Sequence, residues 1–284
     1  MTHLLLLASA LCWGQMPSAS LKEALTFHAA FDGKTDADLA LGDRRIYFAP
    51  SYKAQREARA GLGDSPVELA SGQGRFGDAL RFREKNTRAI FYQAHRNVAF
   101  HSSNWSGTVS FWLRLDPDQD LAPGYCDPIQ ITDKAYNDSA IWVDFTKDER
   151  PRHFRLGVFG ELKAWNPANL PSDKNPDFLN RLVVVQKPPF SRNGWTNVVI
   201  TFQGLGSGNG WSKLYLNGVL QGEAGKIREK FFWDPALAAV RLGVSYVGFF
   251  DELAIFNRAL ADTEVTALYR LARGVGELYA GAGR

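Results

Sequence analysis

Three side chains with complementary chemistry fall in two neighbouring segments near the middle of the sequence. Residues 139–146 alternate apolar and polar positions, which places Trp142 and Asp144 on the same face of a β-strand. In the next segment, residues 154–159, Arg155 alternates against apolar neighbours in the same way. A flat aromatic ring beside a carboxylate and a guanidinium can hold a sugar, through ring stacking and hydrogen bonds to hydroxyl groups. These residues therefore predict a carbohydrate-binding face.

A long polar segment follows these strands and is expected to cover the same face. Residues 160–190 are rich in Pro, Asn and Asp, too long for a hairpin turn and too interrupted for a helix. Long ordered loops in compact domains are often functional. This one carries Trp165 and Asn166, which we add to the predicted ligand-binding residues. An alternative stays open, in which Trp142 is buried under the loop and the aspartate and arginine form a cross-strand ion pair.

The sequence offers little support for a catalytic site. A retaining glycosidase needs two carboxyl groups roughly 5–5.5 Å apart, and no Glu-x-Asp-x-Glu run supplies them on one strand. Asp251 and Glu252 are adjacent, so strand alternation predicts that they point to opposite faces. Tyr136, His153 and Arg155 could act in a polysaccharide lyase, but their spacing does not select them for that role. We expect a protein that is not an enzyme, with a polysaccharide-degrading lyase or glycoside hydrolase as the less favoured alternative.

Composition restricts the remaining classes of protein. The chain has 284 residues, is 45% hydrophobic and contains 26 glycines, which is typical of short strands separated by turns. Its formal net charge of +3 is small for this length and argues against a nucleic-acid-binding protein. The five histidines, at positions 3, 28, 95, 101 and 153, form no close pair at the spacing of a transition-metal site.

The N-terminus predicts export from the cell. Leu4–Trp13 is an apolar run that is too short to span a bilayer and has the length of a signal-peptide core. We therefore expect residues 1–20 to be a signal peptide, and the mature protein to be secreted or held in the cell envelope without a transmembrane segment. Removal of that peptide leaves Cys126 as the only cysteine, so no intrachain disulfide is expected.

Strand signals continue along the chain, and several short motifs occur among them in a definite order. The segments with sustained alternation are Gly107–Leu115, Trp195–Phe202, Lys213–Gln221 and Phe249–Phe256. The third contains Asn217 and Gly218, a strong signal for a two-residue hairpin turn. Apolar residues at helical spacing then predict a short helix over about 261–273. The motifs are Phe31-Asp32-Gly33, GRFGDALRF, WTNVVITF, LYLNG and FDELAIFNRAL.

The order of these motifs resembles the laminin-G-like domains of the concanavalin A-like lectin and glucanase superfamily. The resemblance spans about residues 25–270, with two insertions at about 34–70 and 160–190. It implies an all-β fold, a two-sheet antiparallel β-sandwich of the jelly-roll type with a short C-terminal helix. We expect a single domain over residues 21–273 and a flexible tail over residues 274–284.

The resemblance also implies a metal site. The first and last strands of this fold are neighbours, so Asp32 and Asp251 are expected to meet although they are far apart in sequence. Several related jelly rolls bind calcium between these strands, and Ca²⁺ takes about six to eight oxygen ligands. We therefore predict a structural calcium held by Asp32 and Asp251. In the alternative, Asp32 only forms the turn before Gly33, and Asp251 caps or pairs with a basic group.

These features predict a secreted, non-catalytic binding module whose partner is an extracellular or cell-wall glycan. A structural or protein-interaction module, acting in adhesion, is the alternative, because a fold by itself does not decide function. The two interpretations differ in whether Trp142 and Trp165 line an open cleft or a packed interior.

Overall fold

The computed structural model describes residues 17–280, and within them seventeen strands form two antiparallel sheets packed face to face. The strands are β1 (Leu25–Ala29), β2 (Leu39–Ala40), β3 (Ile46–Ala49), β4 (Arg59–Ala60), β5 (Val67–Ala70), β6 (Ala79–Phe82), β7 (Ala89–Gln93), β8 (Trp105–Arg114), β9 (Cys126–Thr132), β10 (Ala140–Phe145), β11 (Phe154–Phe159), β12 (Val183–Val185), β13 (Thr196–Leu205), β14 (Gly210–Leu216), β15 (Val219–Ile227), β16 (Ala239–Val244) and β17 (Gly248–Phe256). The predicted antiparallel β-sandwich is confirmed.

The last strand, β17, lies near the middle of the first sheet. The strand order in this sheet is β15-β14-β13-β8-β17-β1-β2, and β6 pairs with both β17 and β5. The pairing of β1 with β17 brings the first and last strands together, as the resemblance implied. The second sheet has the order β12-β11-β10-β9-β16-β7-β3-β4. The predicted insertion at 34–70 therefore contributes short strands to both sheets.

Alternation decides which side chains fill the space between the sheets. In β8 Phe111 and Leu113 are fully buried in the core, and in β10 Ile141 and Val143 occupy the same core from the opposite sheet. The residues between them point away from the core, toward the outer face of each sheet. Apolar burial thus fixes the register of each strand, and the register in turn fixes which polar side chains share an outer face.

The helices of the described chain are short and lie outside the sandwich. They are α1 (Pro17–Ala24), α2 (Pro117–Asp120), α3 (Leu162–Trp165), α4 (Pro176–Leu179) and α5 (Asp262–Tyr269), with 3-10 turns at Tyr52–Glu57, Ser172–Lys174 and Val275–Leu278. The helix predicted over 261–273 ends earlier, because Arg270 leaves the helical conformation with φ −88° and ψ 0°. Within residues 17–280 no helix combines the length and apolar character needed to cross a membrane.

Both ends of the described chain pack against the outer face of the first sheet. In α1, Leu21 is buried in an apolar cluster with Val265 and Leu268 of α5. The hydroxyl of Ser20 donates a hydrogen bond of 2.8 Å to Glu264. Residues 17–20 of the predicted signal peptide therefore belong to a packed helix, whereas the rest of that segment lies outside the described residues.

Residues 274–280 are packed, in contrast to the flexible tail expected from their glycine content. Val275 and Leu278 are buried in the same apolar cluster as α1 and α5. The backbone N–H of Val275 donates a 2.8 Å hydrogen bond to the buried carboxylate of Glu252. Gly274 has φ 73°, and a Cβ there would lie 2.5 Å from the same carboxylate. The glycine permits this close approach. The tertiary contacts that order the segment cannot be predicted from its amino-acid composition.

Candidate functional site

A cavity of about 610 Å³ opens on the outer face of the second sheet, between β9–β11 and the loop that follows β11. It is lined by Tyr125, Asp127, Tyr136, Trp142, Asp144, Lys147, Glu149, Arg155, Pro171, Ser172, Phe178 and Leu179. This volume lies within the range of small-ligand sites, about 300–1,000 Å³. Three of the five residues predicted to bind ligand line it, namely Trp142, Asp144 and Arg155.

The base of the cavity is an ion pair between adjacent strands. Asp144 of β10 and Arg155 of β11 are direct partners in the strand register. The Arg155 guanidinium donates two hydrogen bonds to the Asp144 carboxylate, of 2.8 and 2.5 Å, and both residues are buried. This two-bond geometry holds both groups in a fixed orientation. The cross-strand pair given as the alternative from the sequence is therefore what the structure contains, and it lies at the cavity wall.

A second carboxyl group lies beside this pair. Asp127 of β9 accepts a 2.8 Å hydrogen bond from the amide of Gln130. Burial raises the pKa of Asp127 well above its usual value, and repulsion from the nearby Asp144 raises it further. Burial also raises the pKa of Asp144, although the hydrogen bonds from Arg155 oppose that rise. The cavity therefore presents a carboxyl group that tends to keep its proton, which can both donate and accept hydrogen bonds.

Trp142 is packed rather than presented to a ligand. It is only 1% exposed, and its indole N–H donates a 2.6 Å hydrogen bond to the carbonyl of Tyr136. Its ring stacks with Phe159 and Phe178, with centroids 6.0 and 6.2 Å apart. On β11, Gly157 faces it, and a Cβ there would lie 2.2 Å from the indole ring. The expectation that the face of Trp142 stacks on a sugar therefore does not match its packing.

Trp165 and Asn166 hold the covering loop in place and do not line the cavity. Trp165 is buried against Phe159 and Phe178, and its indole N–H donates to the carbonyl of Asn137 at 2.9 Å. The side chain of Asn166 accepts from the N–H of Leu170 at 3.0 Å and donates to its carbonyl at 2.9 Å. Both residues thus shape the cavity without reaching it.

The covering loop contains regular structure that its sequence did not predict. It includes α3, the turn at 172–174, α4 and β12. Asn175 caps α4 by accepting from the N–H of Asp177 at 2.9 Å. Arg181 anchors the end of the loop through two hydrogen bonds to Glu229, of 2.8 and 2.9 Å. The loop is therefore an ordered structure that covers one side of the cavity.

Two exposed tyrosines flank the cavity and were not predicted as ligand platforms. Tyr125 and Tyr136 are each 42% exposed. Tyr125 lies under the Arg155 guanidinium at 4.9 Å from its ring centroid, and the hydroxyl of Tyr136 is 2.8 Å from that of Ser172. They lie just before β9 and in the β9–β10 turn, where no strand period indicates orientation. In the sequence, only their position in turns beside the predicted strands could have indicated that they contact a ligand.

The predicted lyase residues are only partly brought together. Tyr136 and Arg155 both line the cavity, whereas His153 does not. Arg155 is already held by a carboxylate, which leaves it poorly placed to neutralise a substrate carboxylate.

The pair Asp251 and Glu252 also departs from expectation, as the β-strand alternation is broken between them.

A bulge turns Asp251 and Glu252 to the same side of the first sheet. Glu252 has φ 54°, and the register with β8 shifts at this point. Phe250 and Leu253 on either side both enter the core, so the two acidic residues both point outward. The prediction of opposite faces was therefore wrong. Both carboxylates are buried and accept hydrogen bonds from backbone N–H groups, so they are not accessible to a polysaccharide.

The two predicted calcium ligands bind the same turn instead of facing a common centre. Asp251 accepts from the N–H of Arg75 at 2.6 Å, of Phe76 at 3.3 Å and of Glu252 at 2.8 Å. Asp32 is exposed and accepts from the N–H of Asp78 at 2.8 Å. These N–H donors use part of the acceptor capacity of the two carboxylates. Within residues 17–280 no group of three or more Asp, Glu, His or Cys side chains could hold a metal ion. The predicted calcium ion stays a prediction.

Solved structures with a similar fold differ widely from this chain in sequence. Domain 4 of AbnA, an extracellular arabinanase from Geobacillus stearothermophilus in complex with arabinotriose, is 18% identical with a TM-score of 0.53, covering 87% of this chain and 98% of that domain. The ligand-binding domain of botulinum neurotoxin serotype D, in complex with N-acetylneuraminic acid, is 13% identical with a TM-score of 0.53, covering 89% and 52%. Trypanosoma rangeli sialidase is 12% identical with a TM-score of 0.51, covering 87% and 32%. At these identities the likeness establishes the fold alone.

No curated protein sequence matches this chain. A model of a laminin-G-like family, described as concanavalin A-like lectin/glucanases superfamily, matches residues 91–266. The match covers well over half of the chain and runs from β7 into α5, so it includes the strands of the cavity. The resemblance inferred from the order of the motifs is confirmed. The chain belongs to the laminin-G-like family of the concanavalin A-like lectin/glucanases superfamily.

Proposed function

We propose that this protein is a non-catalytic binding module that holds a neutral glycan in the cavity on the second sheet. The observation that carries the proposal is the pair of half-exposed tyrosines, Tyr125 and Tyr136, beside a buried hydrogen-bonding base. Exposed aromatic rings offer apolar faces to the C–H surface of a sugar, and a few fixed polar groups orient its hydroxyls. The AbnA domain, which has a similar fold, was solved with a neutral sugar, arabinotriose, and this supports the class of ligand.

The charges around the cavity favour a neutral sugar over an acidic one. Its lining contains three carboxyl groups, Asp127, Asp144 and Glu149, against two basic groups, Lys147 and Arg155. Because Asp127 tends to keep its proton, the two remaining carboxylates balance the two basic groups, and an anionic sugar would gain no net electrostatic attraction from this lining. A sugar hydroxyl can donate to a carboxylate and accept from a protonated carboxyl, so the raised pKa of Asp127 suits this partner.

We also propose that the protein acts outside the cytoplasm, at the cell envelope or in the extracellular medium. The apolar run Leu4–Trp13 supports export, and extracellular or cell-wall polysaccharides are the neutral glycans that such a protein would meet. Fractionation of expressing cells, with N-terminal sequencing of the exported protein, tests this location. Recovery of the unprocessed chain in the cytoplasmic fraction alone would exclude it.

The binding proposal is tested by calorimetric titration with arabinotriose and with a panel of neutral polysaccharide fragments. We expect Tyr136→Ala to raise the Kd of the sugar that binds at least about fivefold, since losing an aromatic contact costs more than about 1 kcal/mol. Tyr136→Phe, which keeps the ring and loses only the hydroxyl contact with Ser172, should retain most of the affinity. Phe232→Ala is the control, because Phe232 is similarly exposed but does not line the cavity.

Two results would overturn the proposal. One is that no neutral glycan in the panel binds, which would favour the alternative of a protein-interaction module. The other is that a glycan binds equally well to wild type, Tyr136→Ala and Tyr125→Ala, which would place its site elsewhere on the molecule. Thermal melting of each variant shows whether a loss of binding reflects a loss of folding.

A further inference from the structure

A second cleft, of about 350 Å³, lies at one end of the outer face of the first sheet. It shares no lining residue with the cavity on the second sheet. Four arginines line it, and we call it the arginine cleft: they are Arg81, Arg83, Arg114 and Arg192. Phe249 and Gln73 contribute to its walls, and Asp120 lies at its edge beside Arg192.

The arginine cleft is built on a row of side chains that crosses neighbouring strands. Arg114 of β8 is the register partner of Phe249 of β17, which is the partner of Arg81 of β6, which is the partner of Glu68 of β5. The guanidinium of Arg114 lies 4.2 Å from the ring centroid of Phe249 and 5.0 Å from that of Trp195. The rings of Phe249 in β17 and of Trp195, just before β13, thus hold the cation in place without neutralising its charge.

The positive charge of the arginine cleft is only partly compensated. Glu68 approaches Arg81 at 3.6 Å and Arg83 at 3.3 Å, and Asp120 pairs with Arg192. Two carboxylates therefore face four guanidinium groups. Arg114 has no acidic partner within the described residues, and its one hydrogen bond is a long contact of 3.2 Å to the carbonyl of Gln73.

The environment of Arg114 favours an added anion. Partial burial lowers its pKa, and repulsion from the neighbouring Arg81 lowers it further. A guanidinium in this setting gains more from an anionic partner than a fully solvated one, because the local charges and the reduced solvation both act against the unpaired cation. Guanidinium groups also match the planar, two-oxygen geometry of carboxylate and the oxygens of sulfate.

We propose that the arginine cleft binds an anionic group carried by a glycan, either the carboxylate of a uronic acid or a sulfate ester. Its volume accommodates roughly a single sugar residue on the scale of known ligand sites. Arg114 and Arg83 bind the anion directly, and the ring of Phe249 forms the apolar side of the cleft. This second site extends the proposed glycan binding and rests on separate residues, so either proposal can fail without the other.

Titration with trigalacturonate, with a sulfated dextran oligosaccharide and with the matching neutral dextran oligosaccharide tests the proposal. At low ionic strength we expect at least one anionic probe to bind and the neutral dextran to bind no more than weakly. Added NaCl should weaken that binding, because salt screens exposed charge pairs. The preferred probe distinguishes a carboxylate from a sulfate ligand.

Three substitutions locate the site. Arg114→Gln and Arg83→Gln should each weaken binding of the anionic probe about tenfold, as expected for a lost charge-assisted contact. The Arg83 side chain is exposed, and within residues 17–280 its one ion pair is with Glu68, so this variant keeps the test valid even if Arg114→Gln fails to fold. Arg56→Gln is the control, because Arg56 is an exposed arginine paired with Asp234 that does not line the cleft.

Several results would overturn the proposed anionic site. Equal binding of neutral and anionic probes, or no binding of either anionic probe, overturns the proposal. So does an anionic probe that binds Arg114→Gln and Arg83→Gln as tightly as wild type. Tyr136→Ala should leave anionic binding unchanged, and a loss there would mean that the anionic probe occupies the cavity on the second sheet instead.

Discussion

Asp144 and Arg155 face each other across two strands and satisfy each other's charge at the cavity base. Strand alternation alone placed them on one face, because the period of a strand is two and both segments have clear apolar partners. Alternation could not tell that the Trp142 ring would be enclosed by Phe159 and Phe178, because that depends on where the covering loop folds. Turn residues such as Tyr125 have no period, so their exposure could not be predicted either.

Asp251 provides a test of buried charge at the residue scale. Burial raises its pKa from 3.8 to about 8, with repulsion from Glu252 adding to the effect. Between these values the folded protein holds a proton that the unfolded chain has released, so the free energy of unfolding falls as pH rises. One such group contributes up to about 1.4 kcal/mol per pH unit. Urea unfolding of wild type between pH 5 and 8 should therefore show a steeper decline than Asp251→Asn, and parallel curves would contradict this.

The same pair of proteins decides the predicted calcium. A cation at Asp251 would compete with its proton, so added calcium should raise the Tm of wild type more at pH 9 than at pH 6. Asp251→Asn should show no such rise. If neither calcium nor chelator changes the Tm of wild type at either pH, the calcium prediction is wrong and Asp251 serves only the turn at 74–77.

At the scale of elements, β11 and the covering loop form one unit. Phe178 of the loop packs on Trp142 and Phe159 of the strands, and the Trp142 ring lies directly against Gly157, where a Cβ would clash with it. The sequence predicted a long polar loop here, since Pro and Asn interrupt every regular period. It did not predict the short helices within the loop, because they are stabilised by tertiary burial of a few apolar residues and not by local propensity.

Gly157→Ala tests this unit. The new methyl group would lie 2.2 Å from the Trp142 ring, so the indole and the loop above it must shift. We expect a loss of about 1–3 kcal/mol in the free energy of unfolding, as for other overpacked sites, together with weaker glycan binding. Gly225→Ala is the matched control, since Gly225 lies in β15 with no atom within 4 Å of the added Cβ. Equal stability of the two variants in chemical denaturation would contradict the packing described here.

At the scale of the whole molecule, the two ends of the described chain close over the outer face of the first sheet. The buried ring of His28 joins the C-terminal end to the sheet, with Nδ1 2.7 Å from the hydroxyl of Tyr279 and Nε2 3.3 Å from Glu252 of β17. The fold itself was predictable because the motifs occur in the order of a known family. The packing of the termini was not predictable, because a glycine-rich composition indicates flexibility only for a segment that makes no tertiary contacts.

Truncation after Arg273 measures what the C-terminal segment contributes. It removes the buried Val275 and Leu278 and takes away the backbone N–H that Val275 donates to the Glu252 carboxylate. Losing two buried apolar side chains should lower the free energy of unfolding by about 3–5 kcal/mol. Gly276→Ala serves as the control, because its added Cβ meets no atom within 4 Å. An unchanged Tm after truncation would restore the expectation of a loose tail.

The sandwich architecture places the cavity and the arginine cleft on the outer faces of opposite sheets. If both proposed sites bind glycan, a single copy of this protein is divalent and needs no dimer to link two ligands. Such a molecule would tether a neutral polymer strand to an acidic one, and a mixture of the two polymers would thicken or gel as protein is added.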